Sequence, residues 1–477
     1  MIFSQLIKRV KTVSDYSDRE VTFVTDKIEK VEKDSVFVCI KGKNADGHKF
    51  AKEAPEKGAG FVVTQKDLGL KEQIIVENTR EAYTLMCSAF YGDPANELKI
   101  IGVTGTNGKT STAFLLREIL EKSGHKTGLI GTVCDIVDDK QYPGDMTTPD
   151  ADVIFRLMRE MVNNDCEYCV METSSQGLYQ KRLAGIRFDI GIFTNLTEDH
   201  LDYHLNMQSY KDAKKILFEN SSVAIINLDD ENGLYMSEGL DLKTVTYSIK
   251  NDKADYVAKN IQLFDDSVRY EFVGTGIIGR IRLNVPGKFS VYNSMAAAAA
   301  ATELGIDMKS ITSAFENSLG VKGRMETLQT GKDFTVIIDY AHTPDGLENL
   351  LSSIRGVYKG RIITVFGCGG DRDKAKRPIM GKIAGDLSDV AVVTSDNPRN
   401  EDPEEIIKDI LAGMSDAKAE VISIADRTLA IEKALDKAKK GDVVVLAGKG
   451  HETYQVLKQG RIHYDEREII KRILDKK

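Results

Sequence analysis

Short apolar runs separated by amphipathic stretches recur along the chain, and their rhythm changes twice. Up to about residue 97, strand-like runs at Ser35–Ile40 and Gly60–Thr64 precede a helix candidate at Arg80–Tyr91, and a turn at Tyr91–Pro94 closes the segment. A short apolar run at Lys99–Val103 then leads through a Gly/Thr/Asn loop into a helix from Thr110 to about Lys122, with Phe114, Leu115 and Ile119 at helical spacing. Further runs at Tyr168–Met171, Ile190–Thr194 and Val223–Asn227 predict a mainly parallel sheet. Residues 256–285 alternate more strictly, which predicts an antiparallel flank, and Met295–Leu304 is alanine-rich and helical by propensity. From about 323 a second α/β rhythm begins. Its strand candidates are Thr335–Asp339, Arg361–Phe366, Val390–Thr394 and Asp442–Ala447, with helices at Pro403–Met414 and Thr428–Lys440.

The expected fold class is α/β in three domains, which suits a chain of 477 residues. A small α/β domain spans 1–97, a phosphate-loop domain with a mainly parallel sheet spans 98–322, and a doubly wound, Rossmann-like domain spans 323–477. The net charge of −8 gives no basic footprint for nucleic acid. No run approaches the roughly 18 apolar residues of a membrane span, and the N-terminal stretch alternates charge with apolar residues instead of forming a signal-peptide core. Six cysteines without a regular framework suit a reducing compartment. Cys166 and Cys169 lack the second pair of a structural zinc site and read as buried. A cytoplasmic monomer without nucleic-acid or membrane partners is expected.

The candidate chemistry starts at Gly102–Thr110, which contains TGTNGKT. Its glycines let backbone N–H groups approach phosphate oxygens, and the N-terminus of the following helix favours anions. Lys109 is placed to reach the β- and γ-phosphates of a nucleotide and the Thr110 hydroxyl to bind Mg²⁺. Val103 stands where the strict phosphate-loop spacing has its first glycine. Glu172 follows an apolar strand, and His200 lies beyond the run Ile190–Thr194. Strand C-terminal ends are where ligands bind in open α/β sheets, so the two read together as a site for Mg²⁺ or Mn²⁺. Lys214 reads by spacing alone as an ordinary helix lysine.

Further blocks follow: METSSQG at 171–177, FTNL at 193–196, EDHLDYH at 198–204, YKDAK at 210–214, GRME at 323–326 and DYAHTP at 339–344. GDRD at 370–373, DNPR at 396–399 and AGKGHE at 447–452 complete the set. With TGTNGKT, in this order and spacing, the chain resembles the Mur ligase family and within it the MurE type. The resemblance implies an ATP-dependent amide ligase of peptidoglycan precursor synthesis, working through an acyl phosphate. It implies ATP contacts from Gly105, Thr106, Asn107, Gly108, Lys109, Thr110, Ser111, Asn293, Arg324 and Asp339. It implies catalytic roles for Lys109, Glu172, His200 and Lys214, with Lys214 carbamoylated by CO₂. Thr110, Glu172, His200 and that carbamate are the implied metal-binding groups. Thr147, Thr148, Ser174, Gln180 and Arg182 are implied for a UDP-MurNAc-dipeptide. Arg372, Asp396, Asn397, Pro398, Arg399, Gly448 and Glu452 are implied for meso-diaminopimelate. Arg399 can pair bidentately with the distal carboxylate, which lysine lacks. A surface ion pair of Arg399 with Glu401 or Asp402 is the alternative for that residue.

The chain also departs from the family pattern. Lys27, Ile28 and Glu29 stand where the family usually has Asp-Ser-Arg, although Asn44, Asp46, Gly47 and His48 resemble the part that follows. Gln176 replaces a common His and Ser290 a common Asn, both retaining hydrogen-bonding capacity. Three alternatives stay open: a lysine-adding enzyme, a paralogue joining an amino acid to another carboxylate, and a catalytically silent binding relative.

Overall fold

The structure, a computed structural model, describes residues 1–42, 45–144, 146–199 and 201–476, apart from the side chains of Leu201 and Asp202. The expectations for Asn44 and His200 therefore lie outside the described residues. The described residues form a four-stranded, an eleven-stranded and a six-stranded sheet with helices packed on them, and a separate two-stranded hairpin, the α/β class expected.

The first sheet is parallel, with Val24–Thr25, Val36–Val38, Phe61–Thr64 and Gln73–Ile75 paired in chain order. The helix Thr79–Phe90 follows it. Asn78 caps that helix by accepting hydrogen bonds from the N–H groups of Arg80 and Glu81, an arrangement worth about 1 kcal/mol. Phe3, Phe61 and Met86 of this segment share one continuous core with Phe155, Met158 and Met171 of the next. The N-terminal segment is therefore packed onto its neighbour.

The second sheet has eleven strands. Parallel pairing runs unbroken from Tyr256–Leu263 to Thr127–Ile130. Antiparallel hairpins extend both edges: Val268–Gly274 with Ile277–Leu283 at one, and Cys134–Val137 with Lys140–Pro143 at the other. Lys99–Thr104 lies between Phe188–Phe193 and Tyr168–Glu172, so three strands deliver Thr104, Glu172 and Phe193 to one edge. A helix over Lys109–Lys122 packs against another over Lys288–Glu303. The second helix begins at Lys288 rather than Met295, immediately after Gly287 at φ +95°. Ala296–Ala301 are fully buried in it, because methyl side chains allow two helices and a sheet to approach closely.

The third sheet runs Glu326–Leu328, Thr335–Asp339, Val443–Ala447, Ile362–Phe366, Val390–Val393, Glu420–Ser423. Only the first strand is antiparallel. Helices cover both faces: Leu347, Met380 and Ile406 lie in the core on one side, Ala430 and Ile469 in that on the other. Arg427 and Glu466 form an ion pair with no exposed surface, and the guanidinium also donates to Ser395 O and Ala447 O. These bonds fasten two strand ends that face the cleft. Removing either partner of such a buried pair costs about 3–5 kcal/mol.

Candidate active site

Between the second and third sheets lies a cleft of about 1170 Å³. That is somewhat above the roughly 300–1,000 Å³ of a pocket for a single small ligand. Its wall on one side is the loop from Gly105 to Gly108. Gly105 (φ +150°) and Gly108 (φ +86°) both adopt backbone conformations that side chains disfavour. A Cβ on Gly105 would stand 1.8 Å from Thr194 Oγ1, and one on Gly108 2.4 Å from Asn293 Oδ1. The loop is braced from the Phe188–Phe193 strand end. Thr194 Oγ1 donates to Asn107 O (2.6 Å), Asn195 Nδ2 donates to the same oxygen (3.0 Å), and Asn107 N donates to Asn195 Oδ1 (2.9 Å). Gly105→Ala is expected to displace the loop and lower ATP-dependent phosphate release by about 100-fold, since ångström shifts at reacting groups cost that much. Activity within twofold of the parent would show that the loop tolerates the shift.

Lys109 folds into the loop, donating to Gly105 O and Thr106 O, each at 2.8 Å. Burial lowers its pKa and the Arg324 charge adds to this, while Glu172 and Asp199 oppose it. Lys214, on the helix Met207–Glu219, is 1% exposed, more deeply buried than the half-buried Lys109, and donates to the same Gly105 O at 2.9 Å. Two lysines thus converge on one carbonyl. Burial, and next the Lys109 charge, push the Lys214 pKa well below that of an ordinary lysine. This contact is what sequence spacing could not reveal. Lys214 is a buried amine at the phosphate loop, not a solvated lysine.

Glu172 is 1% exposed at its strand end. Its carboxylate accepts from Thr110 Oγ1 (2.9 Å), Thr132 N (2.8 Å) and Thr132 Oγ1 (3.0 Å). Gly131 leaves the room, because a Cβ there would lie 2.4 Å from Glu172 Oε1. Arg324 Nη2 reaches across from the third-sheet side to Thr110 Oγ1 at 3.2 Å, and its guanidinium lies over the Tyr340 ring at 4.6 Å. Asp339 accepts from Met325 N and Ala341 N, which leaves each oxygen a lone pair for a further donor. Burial raises its pKa against the pull of Arg324. Beside it, burial and Lys376 hold the His342 pKa down to about 4, so this imidazole is neutral at physiological pH.

Thr147 lines the cleft, whereas Thr148, Ser174, Gln180 and Arg182 form a hydrogen-bonded group behind it and are not among its lining residues. Thr148 Oγ1 donates to Glu172 O (2.8 Å) and accepts from Ser174 N (2.9 Å), and the Thr147 and Thr132 hydroxyls are hydrogen-bonded to each other (3.0 Å). Arg182 donates to Thr148 O and to Gln180 Oε1, whose amide in turn reaches Tyr203 OH. Asp150 ion-pairs with Arg182 at 3.4 Å and with Lys27 at 4.0 Å. The unusual Lys27–Glu29 segment therefore sits beside this group. Ser290 uses its hydrogen-bonding capacity locally: its buried hydroxyl donates to Pro286 O (2.8 Å) at the start of its own helix, and it is not among the residues lining the cleft. Gln176 does line the cleft.

At the far end, Arg372, Asp396, Asn397, Arg399, Gly448 and Glu452 line the cleft. Arg399 has φ +53° and donates to Gly370 O at 2.8 Å. Pro398 is its neighbour, and a Cβ on Gly370 would stand 1.9 Å from Pro398 O. Glu401 is engaged elsewhere. It takes hydrogen bonds from Arg377 Nη1 (3.1 Å) and Nη2 (2.9 Å), from Asp371 N, and an ion pair from Lys374. Arg377 above all holds its pKa down to about 2. Asp402 caps the helix Pro403–Leu411 through Glu404 N. Neither acid is paired with Arg399, and the surface ion-pair alternative fails.

Residues without any motif signal complete the site. Thr132 braces Glu172, Arg377 ties the 369–371 loop to Glu401, and Asp345 bridges the two large domains. Asp345 Oδ2 accepts from Asn107 Nδ2 (2.6 Å) and Thr197 Oγ1 (3.1 Å). The C-x-x-C pair is structural: burial raises both the Cys166 and the Cys169 pKa.

Comparison with known proteins agrees with this layout. The model of the Mur ligase family catalytic domain matches residues 20–96, that of the Mur ligase middle domain residues 103–301, and that of the Mur ligase glutamate ligase domain residues 323–450. A protein of Clostridium acetobutylicum named UDP-N-acetylmuramoyl-L-alanyl-D-glutamate–2,6-diaminopimelate ligase 1 is 46% identical over 446 residues, covering 92% of each chain. A Clostridium perfringens protein bearing the same ligase name, without the number, is 43% identical and aligned over the full length of both chains. A solved structure of a UDP-N-acetylmuramoyl-L-alanyl-D-glutamate–2,6-diaminopimelate ligase superposes with a TM-score of 0.72 at 30% identity, covering 100% of this chain and 99% of the other.

Proposed function

From the premise that this chain belongs to the Mur ligase family, we propose that it is the ATP-dependent ligase joining meso-diaminopimelate to UDP-MurNAc-L-Ala-D-Glu in peptidoglycan precursor synthesis. The observation that carries this reading is a single cleft. It has the phosphate loop, Glu172 and Arg324 at one end and Arg399 with Asp396 and Glu452 at the other.

The γ-carboxylate of the D-Glu residue attacks the γ-phosphorus of ATP, the bond to the bridging oxygen breaks, and ADP leaves. The diaminopimelate amine then attacks the acyl carbon, phosphate departs with its oxygen, and an amide forms as the amine loses a proton. Lys109 and Arg324 offset charge on the transferring phosphoryl group. Asp339 takes the ribose hydroxyls, and Asn293 stands beside the loop for the base. Arg182, Gln180, Ser174, Thr147 and Thr148 hold the nucleotide-sugar peptide. Lys27, beside Asp150 and Arg182, supplies a cation at that flank.

The oxygen donors of Thr110 and Glu172 suit Mg²⁺. Among the described residues no three His, Cys, Asp or Glu side chains are grouped to hold a metal, so His200 and a carbamate on Lys214 are proposed as the remaining donors. Bound there, Mg²⁺ would neutralise charge on the phosphoryl oxygens. The buried amine of Lys214 supports carbamoylation, in which it attacks CO₂ and releases one proton. The cleft walls keep water from the acyl phosphate. The six cysteines are free, which supports a reducing cytoplasm.

The test is phosphate release from ATP with UDP-MurNAc-L-Ala-D-Glu, comparing meso-diaminopimelate with L-lysine. Turnover with the diacid at least about 100-fold above lysine is expected, because a site built around a polar partner rejects analogues lacking it. Equal turnover would overturn the amino-acid assignment. Turnover with neither would mean that the Lys27–Glu29 flank holds a different carboxylate.

A further inference from the structure

The turn Gly448-Lys449-Gly450 joins the two ends of the cleft. Gly448 N donates to Asp339 O (3.0 Å) on the nucleotide side, and both glycines have positive φ, +114° and +54°. Between them Lys449 points inward with no exposed surface. Its ammonium donates to Glu452 Oε2 (3.0 Å) and Asn397 Oδ1 (3.2 Å) and stands 3.7 Å from Asp396 Oδ1. Asn397 Nδ2 closes the ring by donating to Glu452 Oε2 (2.9 Å), and Val456 N donates to Asn397 Oδ1 (2.9 Å).

One buried cation thus holds three side chains that face the cleft and come from two separate segments. It also fixes their charge. Two carboxylates, Asp396 and Glu452, share a single ammonium, which leaves one negative charge beside the guanidinium of Arg399. Asp396 Oδ1 is buried and lacks a hydrogen-bond donor. A group that supplies both an ammonium and a carboxylate, the zwitterionic end of an amino acid, matches one surplus acceptor next to one guanidinium. Without Lys449, Asp396 and Glu452 would lose the one ammonium that both approach.

We propose that Lys449 is a positioning residue for amino-acid selection. It aligns Asn397, Asp396 and Glu452 and sets their net charge so that they accept the distal ammonium of the substrate while Arg399 takes the distal carboxylate. The proposal rests on the reading that this end of the cleft holds the diamino diacid.

The experiment compares the full-length wild type with Lys449→Met and Lys449→Gln, using meso-diaminopimelate and 2-aminopimelate, which lacks the distal amine. For Lys449→Met, KM for diaminopimelate is expected to rise about 30-fold, as for loss of a buried charge-assisted network. KM for ATP is expected to stay within twofold. The preference for diaminopimelate over 2-aminopimelate is expected to shrink by a similar factor. Lys449→Gln keeps a donor to Glu452 and is the variant to use if the methionine protein does not fold; it is expected to show the same pattern at about 10-fold. If KM for diaminopimelate and the preference stay unchanged in a folded variant, or if ATP and diaminopimelate weaken together with the preference intact, the proposal is overturned while the ligase reading stands. If the wild type itself does not use diaminopimelate, both fall.

Discussion

Replacing Lys214 by alanine is expected to reduce phosphate release by about a thousandfold or more, the scale of losing a main electrostatic stabiliser of the transferring group. Added bicarbonate should not restore it. Lys214 and Lys109 both donate to Gly105 O, Lys214 from a buried position and Lys109 from a half-buried one. Two ammonium groups so placed repel each other, and desolvation disfavours both charges. A free amine at Lys214 relieves this, and a carbamate replaces the repulsion with attraction. The proposed carbamoylation needs the free amine, so acidification through its lowered pKa removes the nucleophile and should cost activity on the acid side. Wild-type enzyme stripped of CO₂ should lose activity and regain it with bicarbonate. With ¹³C-labelled bicarbonate, a carbamate carbon signal should appear in wild type and be missing from Lys214→Ala. Near-normal activity of the alanine variant would sink the carbamate assignment.

Arg399→Ala is the second large effect expected. KM for meso-diaminopimelate should rise about 100- to 1,000-fold, in the range by which sites built for a polar partner reject a mismatched one, while KM for ATP stays within about twofold. The asymmetry follows from position. Arg399 lies at the opposite end of the cleft from the phosphate loop, held at φ +53° by Gly370 O and by the Glu401–Arg377 pair that pins the adjoining loop. A strained backbone at a ligand-facing residue is consistent with a side chain aimed in advance. Lysine lacks the distal carboxylate, so its weaker use should change little in the variant and the ratio between the two amino acids should collapse. Equal losses for ATP and diaminopimelate would instead mean that Arg399 supports the whole cleft.

Much of the architecture was legible before any coordinates. The strands over Lys99–Thr104, Tyr168–Glu172, Phe188–Phe193, Thr335–Asp339 and Val443–Ala447 are buried and almost uninterruptedly apolar, the pattern of parallel strands covered on both faces. The phosphate loop declared itself because only glycine fits Gly105 and Gly108. Other elements carried no such signal. Cys134–Val137 with Lys140–Pro143, and Tyr454–Leu457 with Gly460–His463, are hairpins with much polar and exposed surface. Glu420–Ser423 is an edge strand with three of its four residues exposed. Their periodicity does not separate them from loops, and pairing with an existing sheet makes them strands. Helix Lys288–Glu303 was half legible: its alanines have helical propensity, while Phe289–Asn293 are helical because they pack.

The sequence alone determined the α/β class, the order of the strands that deliver Thr104, Glu172 and Asp339 to ligand-binding edges, and the family to which the motifs belong. Those properties are written in local patterns of apolar burial and obligatory glycine. Tertiary structure alone decided that Lys214 meets Lys109 at one carbonyl and that Glu401 serves Arg377 and not Arg399. It also decided that Ser290 turns into its own helix, that Asp345 bridges to Asn107, and that Lys449 gathers Asn397, Asp396 and Glu452. Each of these depends on where a charged or polar side chain finds its partner after desolvation. That partner lies tens or hundreds of residues away in several cases, and no local pattern encodes it.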